Sequence, residues 1–420
     1  MSTQEYLTVA AALQLVLDGV AILAAETIPL HEAPGRVLAE PIYARDSLPP
    51  FANSSMDGYV LQAADTAGAT ANRPAALRVL ADIAAGSDVT VTVLPGTAAR
   101  IMTGAPIPPG ANAVVPVEDT NEPWRDEQRP LPPIIHIHRQ VSAGAYVRHI
   151  GEDIVAGQQI LNTGHLLRPQ EIGALAALGV SRVPVIRRPR VAILSTGDEL
   201  IDVNEPLRPG KIRNSNSYTQ TAQVAMLGAV PIPLGVARDD EADVRAKLQT
   251  GLDVGVDLFV SSAGVSVGAY DVVKAVLEKA GNVGFWRVRM RPGKPLAYGR
   301  YQGVPYLGLP GNPVSAMVSF ERFARPAILK MGGHTNLERP CVSVTVQEEI
   351  QSDGRESYIR AVVTRMGDGY TAVTTGEQGS HMMTSLIKAN ALIILPEGST
   401  HIPAGATLSA MMIDWPETVF

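Results

Sequence analysis

The stretch that decides the fold is residues 257–315, which read DLFVSSAGVSVGAYDVVKAVLEKAGNVGFWRVRMRPGKPLAYGRYQGVPYLGLPGNPVS. Short apolar strands in this stretch run into turns rich in glycine, serine or proline, namely SAGVSVG, RPGKP and LPGNPVS. Glycine lets the backbone reach positive φ and approach a ligand closely. Two of the turns are followed at once by helical pattern, and the N–H groups at a helix start carry partial positive charge. The stretch is therefore interpreted as a pocket for a phosphorylated ligand.

Strands and helices alternate on the N-terminal side of this stretch as well. VAILSTGDEL and AVPIPLGVARDD are apolar strands, and SNSYTQTAQVAMLGA and EADVRAKLQTGL are helical, with Ser215 as the predicted N-cap of the first helix. Unbroken apolar strands are typical of a parallel sheet that helices cover on both faces. Ligands bind at the carboxyl ends of such strands, where STGDE, ARDD, SAGVSVG and RPGKP all fall.

The remaining segments predict a multidomain α/β protein. Its parts are a doubly wound, mostly parallel sheet domain, an inserted small β domain, a helical linker region and a C-terminal β-barrel-like domain. A helix is predicted over 7–23, and short β-like segments dominate 77–137 and the region after 333. The predicted boundaries are 1–48 with 142–185 for the helical linker domain, 49–141 for the β insert, 186–332 for the α/β domain and 333–420 for the last domain.

The composition is that of an ordinary folded protein. The chain has 420 residues, of which 46% are hydrophobic and 18% charged, with a net charge of −6. No basic cluster is present, so we expect no nucleic-acid partner. No uncharged apolar run reaches the ~20 residues that span a bilayer, and MSTQEYLTV lacks the pattern of a signal peptide. We therefore expect a cytoplasmic protein with no membrane partner. The single cysteine, Cys341, lies in the strand pattern CVSVTV and is predicted to be buried and structural.

Carboxylates near the predicted phosphate loops have two interpretations each. Asp271 follows the SAGVSVG turn and either binds a divalent cation that bridges to a phosphate or only caps the next helix. Glu199 in STGDE and Asp239 in ARDD could hold Mg²⁺ at the sheet edge, although an N-cap role suits Asp239 equally well. Asp57 in NSSMDGY has a turn-stabilising role as its default explanation.

The two cationic residues of RPGKP and the LPGNPVS turn also have two interpretations each. Arg291 and Lys294 in RPGKP suit an anionic substrate, and a solvated loop is the competing explanation. In LPGNPVS, Gly311 and Asn312 precede a helix that begins near Pro313, which is a structural preference of proline at a first helical position. The N–H groups at that helix start would still face a ligand.

Seven strings, taken in order, resemble one family. SSMDGY, IMTGAPIP, GEDI, STGDEL, GVSVG-x-x-D, PGKP and LPGNPVSA resemble the molybdopterin molybdenumtransferases of the MoeA type, the family of the gephyrin E domain. The resemblance implies an enzyme of molybdenum cofactor biosynthesis that inserts molybdenum from molybdate into adenylylated molybdopterin and releases AMP. It also implies Mg²⁺ as cofactor, a homodimer whose cleft is completed by the partner chain, and contacts with other cofactor-biosynthesis proteins.

The resemblance extends to single residues of this chain. The implied catalytic residues are Asp57, Thr103, Asp153, Glu199, Asp239, Asp271 and Lys294. The implied metal ligands are Asp271, Glu199 and Asp239. The implied substrate-binding residues are Gly264, Ser266, Gly268, Arg291, Pro310, Gly311, Asn312, Pro313, Ser315, Arg360 and Ser380. Arg360 and Ser380 are expected as anion contacts from the C-terminal domain.

Two departures from the family pattern bear on the site. Ala263 stands where the family usually has the first glycine of SGGVSVG, which is costly if the position needs positive φ. Asn214 stands where the family often has aspartate, so metal binding through this position is not expected. Two other functions compete with the transferase: a non-catalytic molybdopterin-binding or scaffold protein, and a molybdopterin adenylyltransferase.

Overall fold

The computed structural model describes residues 6–122, 130–263, 272–279 and 283–415. Its strands up to residue 186 are β1 Tyr6–Leu7, β2 Ala25–Pro29, β3 Ile42–Tyr43, β4 Asn53–Ser54, β5 Gly58–Leu61, β6 Ala75–Ile83, β7 Thr97–Ile101, β8 Ala113–Pro116, β9 Ile134–Ile137, β10 Val147–Arg148, β11 Gln159–Leu161 and β12 Arg182–Ile186. The strands that follow are β13 Arg190–Thr196, β14 Leu200–Ile201, β15 Ile212–Arg213, β16 Val230–Ala237, β17 Leu258–Ser262, β18 Val283–Val288, β19 Met290–Arg291, β20 Pro295–Tyr301 and β21 Val304–Leu309. The C-terminal strands are β22 Cys341–Val346, β23 Ile350–Gln351, β24 Glu356–Met366, β25 Gly369–Thr374, β26 Ala391–Leu395, β27 His401–Ile402 and β28 Thr407–Met412.

The helices of the described residues are short to medium in length. They are α1 Val9–Asp18, α2 Pro169–Ala177, α3 Ser215–Met226, α4 Glu241–Asp253, α5 Val272–Lys279, α6 Pro313–Ser319, α7 Arg325–Met331 and α8 Met383–Lys388. A π-helical segment, Phe320–Ala324, joins α6 to α7. Within the described ranges, no helix is long and apolar enough to cross a membrane.

A seven-stranded sheet forms the centre of the fold, with the order β1-β18-β20-β21-β17-β13-β16. Neighbouring strands are parallel except at β20, which runs antiparallel to β18 and β21. Helices α1, α3, α6 and α7 pack on one face through Val16, Val224, Val318 and Ile328, respectively. Helices α4 and α5 pack on the other face through Leu248 and Val276. The doubly wound, mostly parallel sheet is therefore confirmed.

The N-terminal segment packs differently from the prediction. The helix expected over 7–23 spans only Val9–Asp18, because Thr8 caps its start and Gly19 is its C-cap. Glycine is required at this cap, since a Cβ there would overlap the Tyr298 hydroxyl. β1 pairs in parallel with β18, and α1 joins the apolar core of the central sheet. These residues therefore lie with the α/β layer rather than with the linker region to which the sequence assigned them.

The linker and insert regions are built mainly from strands. β2 pairs with β12, and the apolar side chains of this pair pack with Leu38, with Leu167 and with Leu175 of α2. The insert contains a five-stranded sheet of order β8-β5-β7-β6-β9. The two faces of this sheet cover two separate apolar cores. Along β5, Tyr59 and Leu61 point into one core and Val60 into the other, because successive side chains of a strand point to opposite faces.

The C-terminal strands close into a barrel-like sheet. The order is β19-β24-β25-β22-β28-β26, and a further pairing of β24 with β26 closes five of the strands on themselves. Closure leaves these strands without unpaired edges. β19, whose second residue Arg291 is the first residue of RPGKP, pairs in parallel with β24. This pairing ties the central sheet's predicted anion loop to the C-terminal sheet.

Candidate active site

A cavity of about 770 Å³ opens where β13, β17 and β21 end. Residues 310–313 follow β21, residues 291–295 form the RPGKP turn, and residues 378–380 reach in from the C-terminal part of the chain. The start of α3 supplies a further wall. The cavity therefore lies at the sheet edge where ligands of open α/β folds bind.

The lining of this cavity is strongly biased toward positive charge. Its cationic side chains among the described residues are Arg213, Arg291, Lys294 and Arg355, and Glu199 is the one described carboxylate in the lining. Four cations facing one carboxylate favour a ligand with several negative charges.

Asp353 holds two of these arginines in place from outside the cavity lining. The Arg355 Nε lies 3.1 Å from both Asp353 oxygens, and an Arg291 guanidinium nitrogen lies 3.9 Å from Oδ2. Hydrogen bonds from Arg355 lower the pKa of the Asp353 carboxyl, and the charge of Arg291 adds to the effect. The carboxylate is shared, so both guanidinium groups keep donors for a ligand.

Arg360 lies behind the cavity rather than in its lining. Its side chain is buried, and Nε donates to Ser385 Oγ at 3.0 Å while a terminal nitrogen donates to the Gly379 carbonyl at 3.1 Å. Burial, followed by the charge of Arg291, lowers the pKa of Arg360 to about 10. No carboxylate of the described chain pairs with it. Arg360 thus holds the Gly379 backbone at the cavity wall, and its predicted direct contact with an anion stays a prediction.

The LPGNP turn is bonded to the C-terminal region at the cavity wall. Asn312 Nδ2 donates to Ser380 Oγ at 3.1 Å, and the Val314 N–H donates to the Ser380 carbonyl at 3.1 Å. From the other side, Asn216 Nδ2 donates to the Gly311 carbonyl at 2.7 Å. The turn is therefore fixed between α3 and the C-terminal chain segment.

The carboxylates at the sheet edge have separate environments. A Cβ at Gly197, whose φ is +136°, would lie 2.3 Å from Glu199 Oε2, so glycine makes room for this carboxylate. Asp198 and Asp239 accept hydrogen bonds from each other's backbone N–H, at 3.2 and 3.4 Å, and neither lines the cavity. The N-cap of α4 is Asp240 rather than Asp239. Asp239 therefore links the ends of β13 and β16.

Comparison with known proteins shows to which family the chain belongs. Profiles of the MoeA N-terminal region (domain I and II), a probable molybdopterin binding domain and the MoeA C-terminal region (domain IV) match residues 7–179, 192–330 and 343–412. A molybdopterin molybdenumtransferase 2 of Mycobacterium tuberculosis is 40% identical over 389 residues, which are 91% of this chain and 93% of the relative. The chain belongs to the MoeA family.

Other members of the MoeA family are similar to this chain over nearly its whole length. The molybdopterin molybdenumtransferase of Bacillus subtilis is 34% identical over 402 residues, covering 94% of this chain and 92% of that protein. A crystal structure of a molybdopterin biosynthesis MoeA protein from Pyrococcus horikoshii superimposes with a TM-score of 0.82 at 29% identity. The superposition covers 98% of this chain and 100% of that one. The predicted family and fold class are both confirmed.

Nine of the fourteen described site residues that are expected for a MoeA protein lie together in the cavity. They are Glu199, Arg291, Lys294, Pro310, Gly311, Asn312, Pro313, Ser315 and Ser380. Gly264, Ser266, Gly268 and Asp271 lie outside the described residues. The roles of both sets remain predictions.

Three further predicted residues lie away from this cavity. Asp57 Oδ1 accepts hydrogen bonds from the Thr103 N–H at 2.6 Å and from its hydroxyl at 2.8 Å, which joins two loops of the insert. Asp153 is exposed in the linker region. None of the three belongs to the cavity lining. A single chain does not bring them together with Lys294.

Sequence reasoning missed several lining residues, of which Arg355 is the clearest. It lies in the turn SDGRES, where an exposed arginine gives no signal of function. The parallel pairing of β19 with β24 carries it to the cavity. For Arg213 and Asn214 the sequence contained a weak indication of a site, because GKIRNSN is a polar loop at the same sheet edge.

Replacing Ala263 with glycine is expected to stabilise the protein. Ala263 has a φ of +72°, a left-handed conformation that costs a residue with a Cβ about 1–2 kcal/mol. Glycine removes this strain but loses more chain entropy on folding, so we expect a net gain of about 0.5–1 kcal/mol in unfolding free energy. Ala176→Gly, on the exposed face of α2, should instead lower stability by about 1 kcal/mol. Thermal unfolding measures both, and a loss in both variants would show that Ala263 is unstrained.

Proposed function

We propose that this protein is a molybdopterin molybdenumtransferase. It transfers molybdenum from molybdate to adenylylated molybdopterin and releases AMP, a step of molybdenum cofactor biosynthesis. The observation that carries the proposal is the cavity at the sheet edge, in which four cationic side chains face one carboxylate among the described lining residues. Adenylylated molybdopterin and molybdate are both polyanions, so such a cavity suits the pair.

The cationic side chains supply most of the chemistry that the transfer requires. Cleavage of a phosphate linkage depends on positioning and on neutralising charge rather than on a strong nucleophile. Arg291, Arg355 and Lys294 provide donors for anionic oxygens, and Arg360 adds positive potential from behind. Ser315 and Ser380 add hydroxyl groups that can donate to molybdate oxygens.

Mg²⁺ would be held in this cavity together with the substrate. In the described parts of the chain, no group of three or more His, Cys, Asp or Glu side chains could hold a metal ion. Mg²⁺ commonly takes one or two carboxylates and completes its octahedron with substrate phosphates and water. Glu199, which lines the cavity, would supply one such ligand, and Asp271 is the predicted second. The bound ion would neutralise charge on the phosphate oxygens.

A homodimer would complete the site. The exposed loops that carry Asp57, Thr103 and Asp153 contribute nothing to the cavity of their own chain. The Asp57–Thr103 pair holds two of these loops in one arrangement, ready to contact another surface. In the proposed dimer they enter the cavity of the partner chain, so each active site contains residues from both chains.

Release of AMP tests the proposed activity. Purified protein with adenylylated molybdopterin, molybdate and Mg²⁺ is expected to release AMP, and omission of molybdate should reduce the rate by about 10-fold or more because the molybdenum donor is missing. AMP is followed by chromatography. Binding of the pterin substrate without AMP release would indicate a scaffold protein instead. Consumption of ATP with unadenylylated molybdopterin would indicate an adenylyltransferase.

A further inference from the structure

Asn214 occupies a corner of the cavity where α3 begins. It is the N-cap residue of this helix, and only 6% of its surface is exposed. Its neighbours Ser215 and Asn216 also line the cavity. The positive end of the α3 dipole therefore points toward the same space.

Hydrogen bonds determine which way the Asn214 amide faces. Oδ1 accepts from the Ser217 N–H at 3.3 Å and from the Ser195 hydroxyl at 2.9 Å. A backbone N–H can only donate, so the atom facing Ser217 has to be the oxygen. Ser195 is fully buried and also contacts the Ser262 hydroxyl at 3.1 Å, which ties the oxygen to the protein interior.

The amide nitrogen is left on the cavity side. Within the described chain, Nδ2 of Asn214 has no acceptor, although the side chain is more than nine-tenths buried and lines the cavity. Nδ2 is not among the fully buried polar atoms of the described chain that lack a partner, so it is accessible from the cavity. A ligand oxygen in the cavity can therefore accept its hydrogen bond.

We infer that Asn214 is a substrate-binding residue that donates a hydrogen bond from Nδ2 to an anionic oxygen of the substrates. The inference rests on the proposed function, since the anion is either a phosphate of the nucleotide-bearing substrate or molybdate. An aspartate here would keep the cap but place a negative oxygen where the donor stands. The neutral amide thus makes this corner attractive to an anion without a metal ion.

Two substitutions separate the donor from the cap. Asn214→Ser keeps an N-cap oxygen for Ser217 but removes the amide donor, and Asn214→Asp keeps the cap and adds a charge. Binding of AMP and of sodium molybdate is measured by titration calorimetry on wild type and both variants. For the anion that contacts Asn214, we expect Kd to rise about 10-fold in the serine variant and about 100-fold in the aspartate variant. Thermal unfolding should stay near that of wild type in both.

The titrations distinguish every outcome. A larger Kd for AMP alone assigns the contact to phosphate, and a larger Kd for molybdate alone assigns it to the metal oxyanion. Unchanged Kd values for both anions in both variants would refute the inference. If these variants also release AMP at the wild-type rate, the proposed function still holds although the inference about Asn214 is wrong. A wild-type protein that binds neither anion would overturn the inference and the proposed function together.

Discussion

A mixture of the Asp57→Ala and Lys294→Ala proteins is expected to recover activity that neither variant retains alone. Lys294 lines the cavity, where its ammonium group can neutralise a ligand oxygen, and it lies 5.3 Å from the centroid of the Tyr6 ring. Loss of such a preorganised donor lowers kcat by about 100-fold or more. Asp57→Ala releases the Thr103 loop, and misplaced contacts of this kind also cost about 100-fold.

Recovery follows from the geometry of the proposed dimer. In a mixed dimer, the cavity of the Asp57→Ala chain keeps Lys294 and receives Asp57 from the Lys294→Ala chain. One of its two sites is then intact, and random exchange should restore about one quarter of the wild-type rate. AMP release by the mixture measures this, after native mass spectrometry has shown that subunits have exchanged.

A second mixture supplies the matched control. Arg291 and Lys294 belong to the same cavity of one chain, so every site in a mixed dimer of Arg291→Ala and Lys294→Ala lacks one of them. This mixture should stay inactive. If the Asp57→Ala and Lys294→Ala mixture also stays inactive despite subunit exchange, the active site does not draw on two chains.

Gly293→Ala is expected to disturb the RPGKP turn more than any exposed substitution near it. Gly293 has a φ of +108°, and a Cβ there would lie 2.4 Å from Ser319 Oγ. The backbone strain costs about 1–2 kcal/mol, and the overlap with a buried group adds about 1–3 kcal/mol. We expect a total loss of about 2–5 kcal/mol in unfolding free energy, measured by chemical denaturation. Because Lys294 is the next residue, AMP release should fall as well.

Two further variants separate strain from overlap. Gly303 has a φ of +85° but open space around it, so Gly303→Ala should show the strain alone, about 1–2 kcal/mol. Ser319 is fully buried, and its hydroxyl has no partner among the described residues, so Ser319→Ala removes the overlap at little cost. The double variant Gly293→Ala/Ser319→Ala should therefore resemble Gly303→Ala. Equal losses in Gly293→Ala and the double variant would show that the Ser319 contact is irrelevant.

Local patterns predicted elements better than they predicted burial. The CVSVTV pattern correctly indicated a strand, β22, but Cys341 at its start is exposed rather than buried. Alternation shows that residues lie on two faces without showing which face another layer covers. The helix start at α3 shows a similar limit. Both Asn214 and Ser215 are good caps, and the contact with Ser195 from β13 favours Asn214.

The sequence by itself determined the family, the α/β class and the loops at the sheet edge. Those features rest on apolar runs, glycine turns and helix starts, which are set by neighbouring residues. Only the tertiary structure decided that β1 and α1 join the central sheet, and that β19 pairs with β24. The second pairing brings Arg355 of the C-terminal region beside Arg291 and Lys294 and makes the cavity cationic. Such contacts join residues far apart in the chain, so their specificity comes from packing and pairing rather than from any local pattern.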